Sequence, residues 1–157
     1  MFRPMRRFKQ AVSEEDCRAL LQKARRGVLA VSGDNGYPYA VPMNFYFDGE
    51  KGSIFFHCAR EGHKLDAMLR DEKVCFTVFG GDVKRDDWAW YVTSVVVFGE
   101  AQLVTEEAEK NALLRALAKK YFPPEEDVEA DMARNAARAL VVEIKIRHMT
   151  GKLVHEH

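Results

Sequence analysis

Residues 27–47 read Gly-Val-Leu-Ala-Val-Ser-Gly-Asp-Asn-Gly-Tyr-Pro-Tyr-Ala-Val-Pro-Met-Asn-Phe-Tyr-Phe. The central Gly-Asp-Asn-Gly segment at 33–36 is typical of a tight turn, and apolar runs of strand length lie on both sides of it. This stretch therefore predicts a β-hairpin whose second strand extends to Phe47. Proline cannot donate to a sheet ladder, so Pro38 and Pro42 predict an edge, a bulge or an opening in that strand.

The rest of the chain alternates short strands and turns with a few helices. Further strands are predicted over 53–59, 74–79, 88–104 and 139–146, with Gly99 as a bulge in the third of them. Helices are predicted after an N-cap at Ser13, over 65–69, after an N-cap at Thr105 and over 125–138. Strands that are mostly joined by short turns indicate an α+β fold built on an antiparallel barrel.

Length, charge and cysteine content exclude several classes of protein. The chain has 157 residues, 24 Lys+Arg against 24 Asp+Glu, and 47% hydrophobic residues, which fits a single domain over residues 1–157. Without an excess of positive charge, no binding to nucleic acid or to an anionic membrane is expected. No apolar stretch approaches about 18 residues, and no apolar signal segment follows the basic start, so we expect a cytoplasmic protein. Three widely spaced cysteines predict neither a disulfide framework nor a zinc ribbon.

The common catalytic motifs are absent from this sequence. It contains no G-x-G-x-x-G and no complete P-loop, since Thr-Gly-Lys at 150–152 matches only the end of one and follows a strand. His155 and His157 suit a metal ion or, more simply, a solvated tail. His57 and Cys58 are neighbours on a strand and point to opposite faces, so they cannot form a direct catalytic dyad. Cys58 is expected in the core, and His57 is left either as a structural or as a functional residue.

Gly62, His63 and Lys64 directly follow the strand that carries His57 and open a predicted helix. Free backbone N–H groups, the helix dipole and two potential cations converge there on one anion. A phosphate suits this arrangement better than a carboxylate, because it accepts hydrogen bonds from several donors at once. An exposed basic turn is the alternative that the residues alone leave open.

Four stretches together carry a resemblance to a known family. They are Gly-Tyr-Pro-Tyr-Ala-Val-Pro-Met-Asn at 36–44, Ile-Phe-Phe-His-Cys-Ala-Arg-Glu-Gly-His-Lys at 54–64, Ser-Val-Val-Val-Phe-Gly at 94–99 and Thr-Gly-Lys at 150–152. In this order they resemble the Nim branch of the pyridoxamine-phosphate-oxidase-like flavoproteins, and the second stretch is the most specific. The resemblance implies an antiparallel split β-barrel with flanking helices, forming a homodimer that binds FMN in two grooves at the subunit interface.

The resemblance also implies roles for individual residues. The isoalloxazine ring of FMN would lie along Val41, Pro42, Met43 and Asn44. The FMN phosphate would be held by His63 and Lys64, in agreement with the argument from the helix start. Further contacts, in part across the dimer, would come from Ser94, Val95, Thr150, Gly151 and Lys152. His57 matches a family histidine close to the flavin and the substrate, which makes it the candidate catalytic residue, hydrogen-bonding or protonating the substrate.

The implied activity is that of an FMN-dependent oxidoreductase. It would reduce a small acceptor such as a 5-nitroimidazole with electrons from NADH or NADPH, while the flavin carries the redox chemistry. A pyridoxamine-phosphate oxidase is the first alternative, although the chain is short and lacks a recognisable second set of basic residues for a substrate phosphate. A non-catalytic flavin or haem protein, with His57, His148 or His155 as axial ligand, is the second. A plain dimeric barrel without any ligand is the third.

Overall fold

The computed structural model describes residues 1–84, 89–122 and 124–155. Within these ranges the strands are β1 (Gly27–Ser32), β2 (Pro38–Met43), β3 (Tyr46–Asp48), β4 (Ser53–Cys58), β5 (Lys73–Lys84), β6 (Trp90–Leu103) and β7 (Leu140–His155). The α-helices are α1 (Glu14–Lys23), α2 (His63–Arg70), α3 (Glu107–Tyr121) and α4 (Glu125–Asn135). Two short 3-10 turns cover Phe8–Gln10 and Asp34–Gly36.

The strands form one antiparallel sheet in the order β2-β1-β5-β6-β7-β4-β3. The two edge strands, β2 and β3, are consecutive in the sequence, with only Asn44 and Phe45 between them. The chain therefore crosses at these two residues from one edge of the sheet to the other, and the sheet curls into a half-barrel. This confirms the expected α+β fold, an antiparallel split β-barrel with flanking helices.

The prediction of one continuous strand up to Phe47 is wrong, because that segment divides into β2 and β3. The Gly33 N–H donates to the Tyr37 carbonyl at 2.9 Å, and β2 pairs in register with β1 from there. Antiparallel ladders alternate, so the backbone groups of Pro38 and Pro42 face away from β1, toward the free edge. Both prolines thus lie where the ladder needs no donor, as edge strands require.

The strand β6 is shorter at its start than the sequence predicted. It begins at Trp90, and Trp88 lies outside the described residues. The predicted bulge at Gly99 is confirmed by a register shift next to Phe98. A Cβ at Gly99 would lie 2.6 Å from the carbonyl oxygen of Lys145, so the close approach of β7 requires glycine there.

The strand β7 continues beyond its predicted end at Ile146 as far as His155, because it pairs with β6 along that whole length. Thr-Gly-Lys at 150–152 therefore lies inside a strand and not after one. The His155 ring lies 5.4 Å from the ring of Tyr91, and His157 is outside the described residues. Among the described residues, no group of three or more His, Cys, Asp and Glu side chains is arranged to hold a metal ion.

Of the two predicted N-caps, one is confirmed and the other is wrong. The Asp16 N–H donates to Ser13 Oγ at 3.0 Å, as predicted for the N-cap of α1. The N-cap of α3 is Glu106 and not Thr105, since the Glu106 carboxylate accepts two backbone N–H bonds of the first turn, at 2.8 and 3.2 Å. None of the helices in the described ranges is both long and apolar enough to span a lipid bilayer.

The apolar side chains pack into two clusters on opposite faces of β4. The barrel interior is filled by a large cluster that includes Leu29, Phe45, Phe47, Ile54, Phe56, Cys58, Phe76, Val78, Val95, Val97, Val142 and Ile144. The space beneath α3 and α4 holds a small cluster of Phe55, Leu113, Leu114, Met132, Ala139 and Val141. Cys58 is confirmed as a core residue, and burial raises the pKa of its thiol. His57 lies on the opposite face, beside the small cluster.

Gly151 is the point where β7 meets the segment before α1. Its carbonyl accepts a hydrogen bond from the Val12 N–H at 3.0 Å, and a Cβ there would overlap Cys17 Sγ and lie 2.8 Å from Val12 Cγ2. We expect Gly151→Ala to lower the free energy of unfolding by about 1–3 kcal/mol through overpacking, as measured by urea denaturation. Cys17→Ala in the same chain should recover part of that loss, with Cys17→Ala alone as the control. A Gly151→Ala chain of unchanged stability would contradict the close packing.

Candidate functional site

The end of α3 holds the break between β2 and β3. The Phe45 N–H donates to Tyr121 Oη at 3.0 Å, and the Phe45 carbonyl accepts from Lys120 Nζ at 2.9 Å. Lys120 and Tyr121 each donate a further bond, at 2.8 Å, to a backbone carbonyl just after α1. These contacts replace ladder hydrogen bonds at the break. They therefore fix the backbone next to Asn44, the first of the two residues at which the chain crosses.

Lys120 is half-buried in an electropositive environment. Burial, followed by the nearby charges of Arg25 and Arg26, lowers the pKa of Lys120 to about 8. Its ammonium group lies 3.8 Å from the centroid of the Phe45 ring, and a cation over an aromatic face is stabilised. Burial also raises the pKa of Tyr121, so this hydroxyl remains a donor. The two side chains thus form a polar clasp, here called the α3 clasp, on the strand break.

Within the α3 clasp, we expect the Tyr121 hydroxyl to stabilise the folded protein measurably. Tyr121→Phe leaves the Phe45 N–H and the Arg25 carbonyl without their side-chain partner, so we expect a loss of about 1–3 kcal/mol in the free energy of unfolding. Urea denaturation followed by circular dichroism measures it. Tyr37→Phe serves as the matched control, since Tyr37 is 76% exposed. Equal stabilities of the two variants would show that the clasp contributes nothing.

A cavity of about 240 Å³ lies between β4 and the helices α3 and α4. Asn44 and His57 line it from the sheet side, and Tyr121 of the α3 clasp lines it as well. Its helix side is mostly apolar and includes Leu114, Leu117, Ala118, Phe122, Met132 and Ala136. The structure thus brings Asn44 and His57, two of the residues singled out from the sequence, to one concave surface.

His63 is tied to the β1–β2 turn. Its ring stacks on Tyr39, with centroids 4.1 Å apart, and its Nε2 accepts a hydrogen bond from the Asp34 N–H at 3.3 Å. The Asp34 carboxylate lies 3.9 Å from the same nitrogen and pairs with Arg70 at 3.1 Å. One face and one nitrogen of the His63 imidazole are therefore already engaged by the protein.

Lys64 lies in the first turn of α2, where the helix has no side-chain cap. The N-cap is Gly62, at φ +140°, and no side chain of the described residues caps the first N–H groups of the helix. In the part of the chain that the structure describes, no carboxylate lies within 4.0 Å of the Lys64 amine. Unpaired backbone donors, the helix dipole and one ammonium group thus meet at the same end of α2. This donor set fits a phosphate.

The residues expected along the isoalloxazine ring lie at the free edge of the sheet. Val41 and Met43 are half-buried and pack against the barrel core, while Pro42 is exposed on the other face of β2. Asn44 leaves the strand and enters the cavity with His57. A ligand beside this edge would therefore meet backbone groups of β2 and the Asn44 amide, with few side chains in between.

The expected contacts on the two long strands form a separate group. In the β6–β7 ladder Ser94 pairs with Lys152, Val95 with Gly151 and Val96 with Thr150. The Val95 side chain is fully buried in the barrel. His57 is opposite Val141 at the start of β7, and the path from there to Thr150 is about 30 Å at the rise of an extended strand. Along β7 this group and the position opposite His57 are therefore well separated.

The three histidines considered as haem ligands have different surroundings. The His148 ring stacks on Phe2, with centroids 4.6 Å apart, and the His155 ring contacts Tyr91. His57 is exposed and lines the cavity. His148 lines a different cavity, together with Arg18 and Thr150, whereas His57 shares its cavity with Asn44 and Tyr121.

Sequence reasoning missed Lys120, Tyr121, Tyr39 and Asp34 as parts of this region. The helical pattern marks Tyr121 as an inward residue, but it does not show that the hydroxyl meets a strand break 76 positions earlier in the chain. The two consecutive prolines after α3 and the basic end of the helix gave no sign of it either.

The sequence is similar to that of a known protein family. The model of the family described as pyridoxamine 5'-phosphate oxidase matches residues 13–153. No curated protein matches the chain significantly in sequence.

Similar solved structures include a candidate 5-nitroimidazole antibiotic resistance protein from Bacteroides thetaiotaomicron, at 20% identity and TM-score 0.78, covering 92% of this chain and 87% of that one. An FAD-binding protein from Mesorhizobium loti has 20% identity and TM-score 0.68, covering 92% and 96%. A flavocytochrome from Azotobacter vinelandii has 22% identity and TM-score 0.79, covering 96% and 72%. At these identities the likeness shows a shared fold.

Proposed function

Because this chain belongs to the pyridoxamine 5'-phosphate oxidase family, we propose that it is a cytoplasmic, FMN-dependent oxidoreductase. It would reduce a small acceptor, such as a nitroimidazole, with electrons from NADH or NADPH. The observation that carries the proposal is the placement of polar groups at both ends of the segment 57–64: His57 shares the cavity beneath α3 and α4 with Asn44, and Lys64 lies at the uncapped start of α2. The similar structures described as FAD-binding and as a flavocytochrome support flavin as the ligand class, and the one described as a nitroimidazole resistance protein supports a nitroimidazole as acceptor.

The phosphate-binding features favour FMN within that class. One uncapped helix start with one unpaired lysine provides for one terminal phosphate. The sequence has no Gly-rich fingerprint that would hold the pyrophosphate of a dinucleotide. When bound, the flavin would accept a hydride from the reduced nicotinamide and pass two electrons to the acceptor.

The side chains of this protein would then bind and orient the flavin and protonate the acceptor. The Asn44 amide offers both a donor and an acceptor to the polar edge of a ring lying beside β2. His57, on the cavity wall, would donate a proton or a hydrogen bond to an acceptor that becomes negative during reduction. The apolar walls contributed by α3 and α4 would exclude water from that step.

We expect the protein to be a homodimer, with the outer face of β5 and β6 at the interface. The strand alternation that buries Val95 and Val97 turns Ser94, Val96 and Phe98 to this face, where Phe98 is 41% and Phe79 64% exposed. A second copy there would bring its β6–β7 residues toward this chain's β2 edge. Light scattering of the FMN-loaded protein should give the mass of two chains. A monomer with tightly bound FMN would overturn this arrangement.

The first test of the proposed function is the chromophore. The protein, purified from cells without added cofactor, should have a flavin absorption spectrum and release FMN on denaturation. Apo-protein titrated with FMN should recover the same spectrum, and NADH or NADPH should bleach it. A haem spectrum would support a haem-binding protein instead. A colourless protein that also fails to bind added FMN would contradict the proposal.

A further inference from the structure

The cavity between β4 and the α3–α4 pair has the size of a small single-ring molecule. Its volume is about 240 Å³. A cavity of about 150 Å³ is enough to hold benzene, so this one admits one ring with a substituent. A nicotinamide dinucleotide does not fit. The cavity therefore suits a small acceptor, and the electron donor would have to approach the flavin from elsewhere.

Asp131 places a carboxylate in the wall of this cavity. It belongs to α4 and lines the cavity opposite the sheet side that carries Asn44 and His57. The Asn135 amide, one turn later on the same helix, donates to Asp131 Oδ1 at 2.8 Å. In the described part of the chain no basic side chain lies within 4.0 Å of the Asp131 carboxylate. Asp131 Oδ2 thus remains an acceptor without a hydrogen-bond or ion-pair partner among the described residues.

In the described ranges no lysine or arginine lines the cavity, and the nearest guanidinium groups contact its lining residues from outside: Arg138 donates to Asn135 Oδ1 at 3.1 Å, and Arg25 and Arg26 lie over the Tyr121 ring. Asn44, Asn135 and the Tyr121 hydroxyl are neutral, and His57 is a donor or an acceptor according to its protonation. The other walls are apolar and offer a planar ring a contact surface. A bound molecule with an N–H group or a positive charge next to Asp131 would make a charge-assisted hydrogen bond, whereas a carboxylate or phosphate would meet like charge.

We infer that this cavity is the acceptor pocket and that Asp131 makes it selective for single-ring molecules with a cationic or N–H-donating group, against anionic molecules of the same size. The role of the occupant as electron acceptor rests on the proposed function. The charge selectivity does not, because the cavity is formed by this chain alone.

Three isosteric probes separate charge from shape: benzamidinium, benzamide and benzoate. Their binding is measured by titrating the protein, with and without FMN, and following the NMR signals of the His57 ring and the Asn44 side-chain amide. We expect benzamidinium to bind about tenfold or more tightly than benzoate, with benzamide in between. In Asp131→Asn the difference between benzamidinium and benzoate should disappear, while benzamide affinity stays within about twofold.

Asp127→Asn is the matched control, because Asp127 is an exposed carboxylate one turn earlier on α4 that does not line the cavity. It should keep the preference of the natural chain. Benzoate binding as tightly as benzamidinium, or an unchanged preference in Asp131→Asn, would overturn the inference. A protein that shows the preference but binds no flavin would refute the proposed function and the acceptor role, and leave the selectivity standing. A flavin-loaded protein without the preference would refute the inference alone.

Discussion

Replacing His63 and Lys64 together with alanine is expected to weaken FMN binding by about 2–5 kcal/mol, or roughly 30-fold to several thousand-fold. The double variant removes the ammonium group at the uncapped start of α2 and the imidazole beside it. Titration of apo-protein with FMN, followed by quenching of flavin fluorescence, measures the change. Lys119→Ala, at an exposed position on α3, is the control for loss of a surface cation.

Riboflavin makes this experiment specific for the phosphate. It has the same ring as FMN and no phosphate, so its affinity should change little in the double variant. Lys64→Ala alone should account for most of the loss in FMN affinity, because the His63 Nε2 already accepts from Asp34 and its ring already stacks on Tyr39. Equal losses for FMN and riboflavin, or an unchanged FMN affinity, would refute the phosphate assignment.

The second large effect is expected at His57, where alanine should slow electron transfer to the acceptor by about 10²–10⁴-fold. Flavin should stay bound, since His57 lies on the cavity wall while the phosphate-binding features are at the start of α2. Stopped-flow mixing of the reduced protein with a nitroimidazole measures the rate, and FMN titration measures the binding. His57→Gln, which keeps a hydrogen-bond donor, should recover part of the rate.

Asp127→Asn is the control for that experiment, because Asp127 is an exposed residue of α4 that does not line the cavity. It should leave the rate within about twofold. The role of His57 would be refuted by the opposite pattern, in which His57→Ala loses flavin and yet turns over normally per flavin that remains bound.

Local sequence patterns were sufficient to predict the hairpin, the barrel class and which residues lie on each face of β4. The turn at 33–36 is fixed by residue types that tolerate unusual backbone angles, and Asn35 and Gly36 do have positive φ values of 57° and 77°. Strand alternation placed Cys58 in the core and His57 outside it, since a strand has only two faces. Such features depend on neighbours within a few residues, and a sequence displays them directly.

Features that depend on distant partners could not be predicted in this way. The break at Asn44 and Phe45 is stabilised by Lys120 and Tyr121, which lie some 75 positions further along the chain. The extension of β7 to His155 likewise depends on its pairing with β6, because its own residues from Arg147 onward show no clear alternation. Asp131 could not be recognised for the same reason, as its place in a cavity follows from how α4 packs over β4.

The strand order has a consequence for how the chain reaches its native state. β7 is the strand that joins β6 on one side to β4 on the other, so β3 and β4 have no ladder to β1, β2, β5 and β6 except through it. Until the last strand has paired, the sheet exists as two separate pieces, and long-range pairing of this kind slows folding. Removing residues within 140–155 would therefore separate the sheet into two parts and not only shorten one strand.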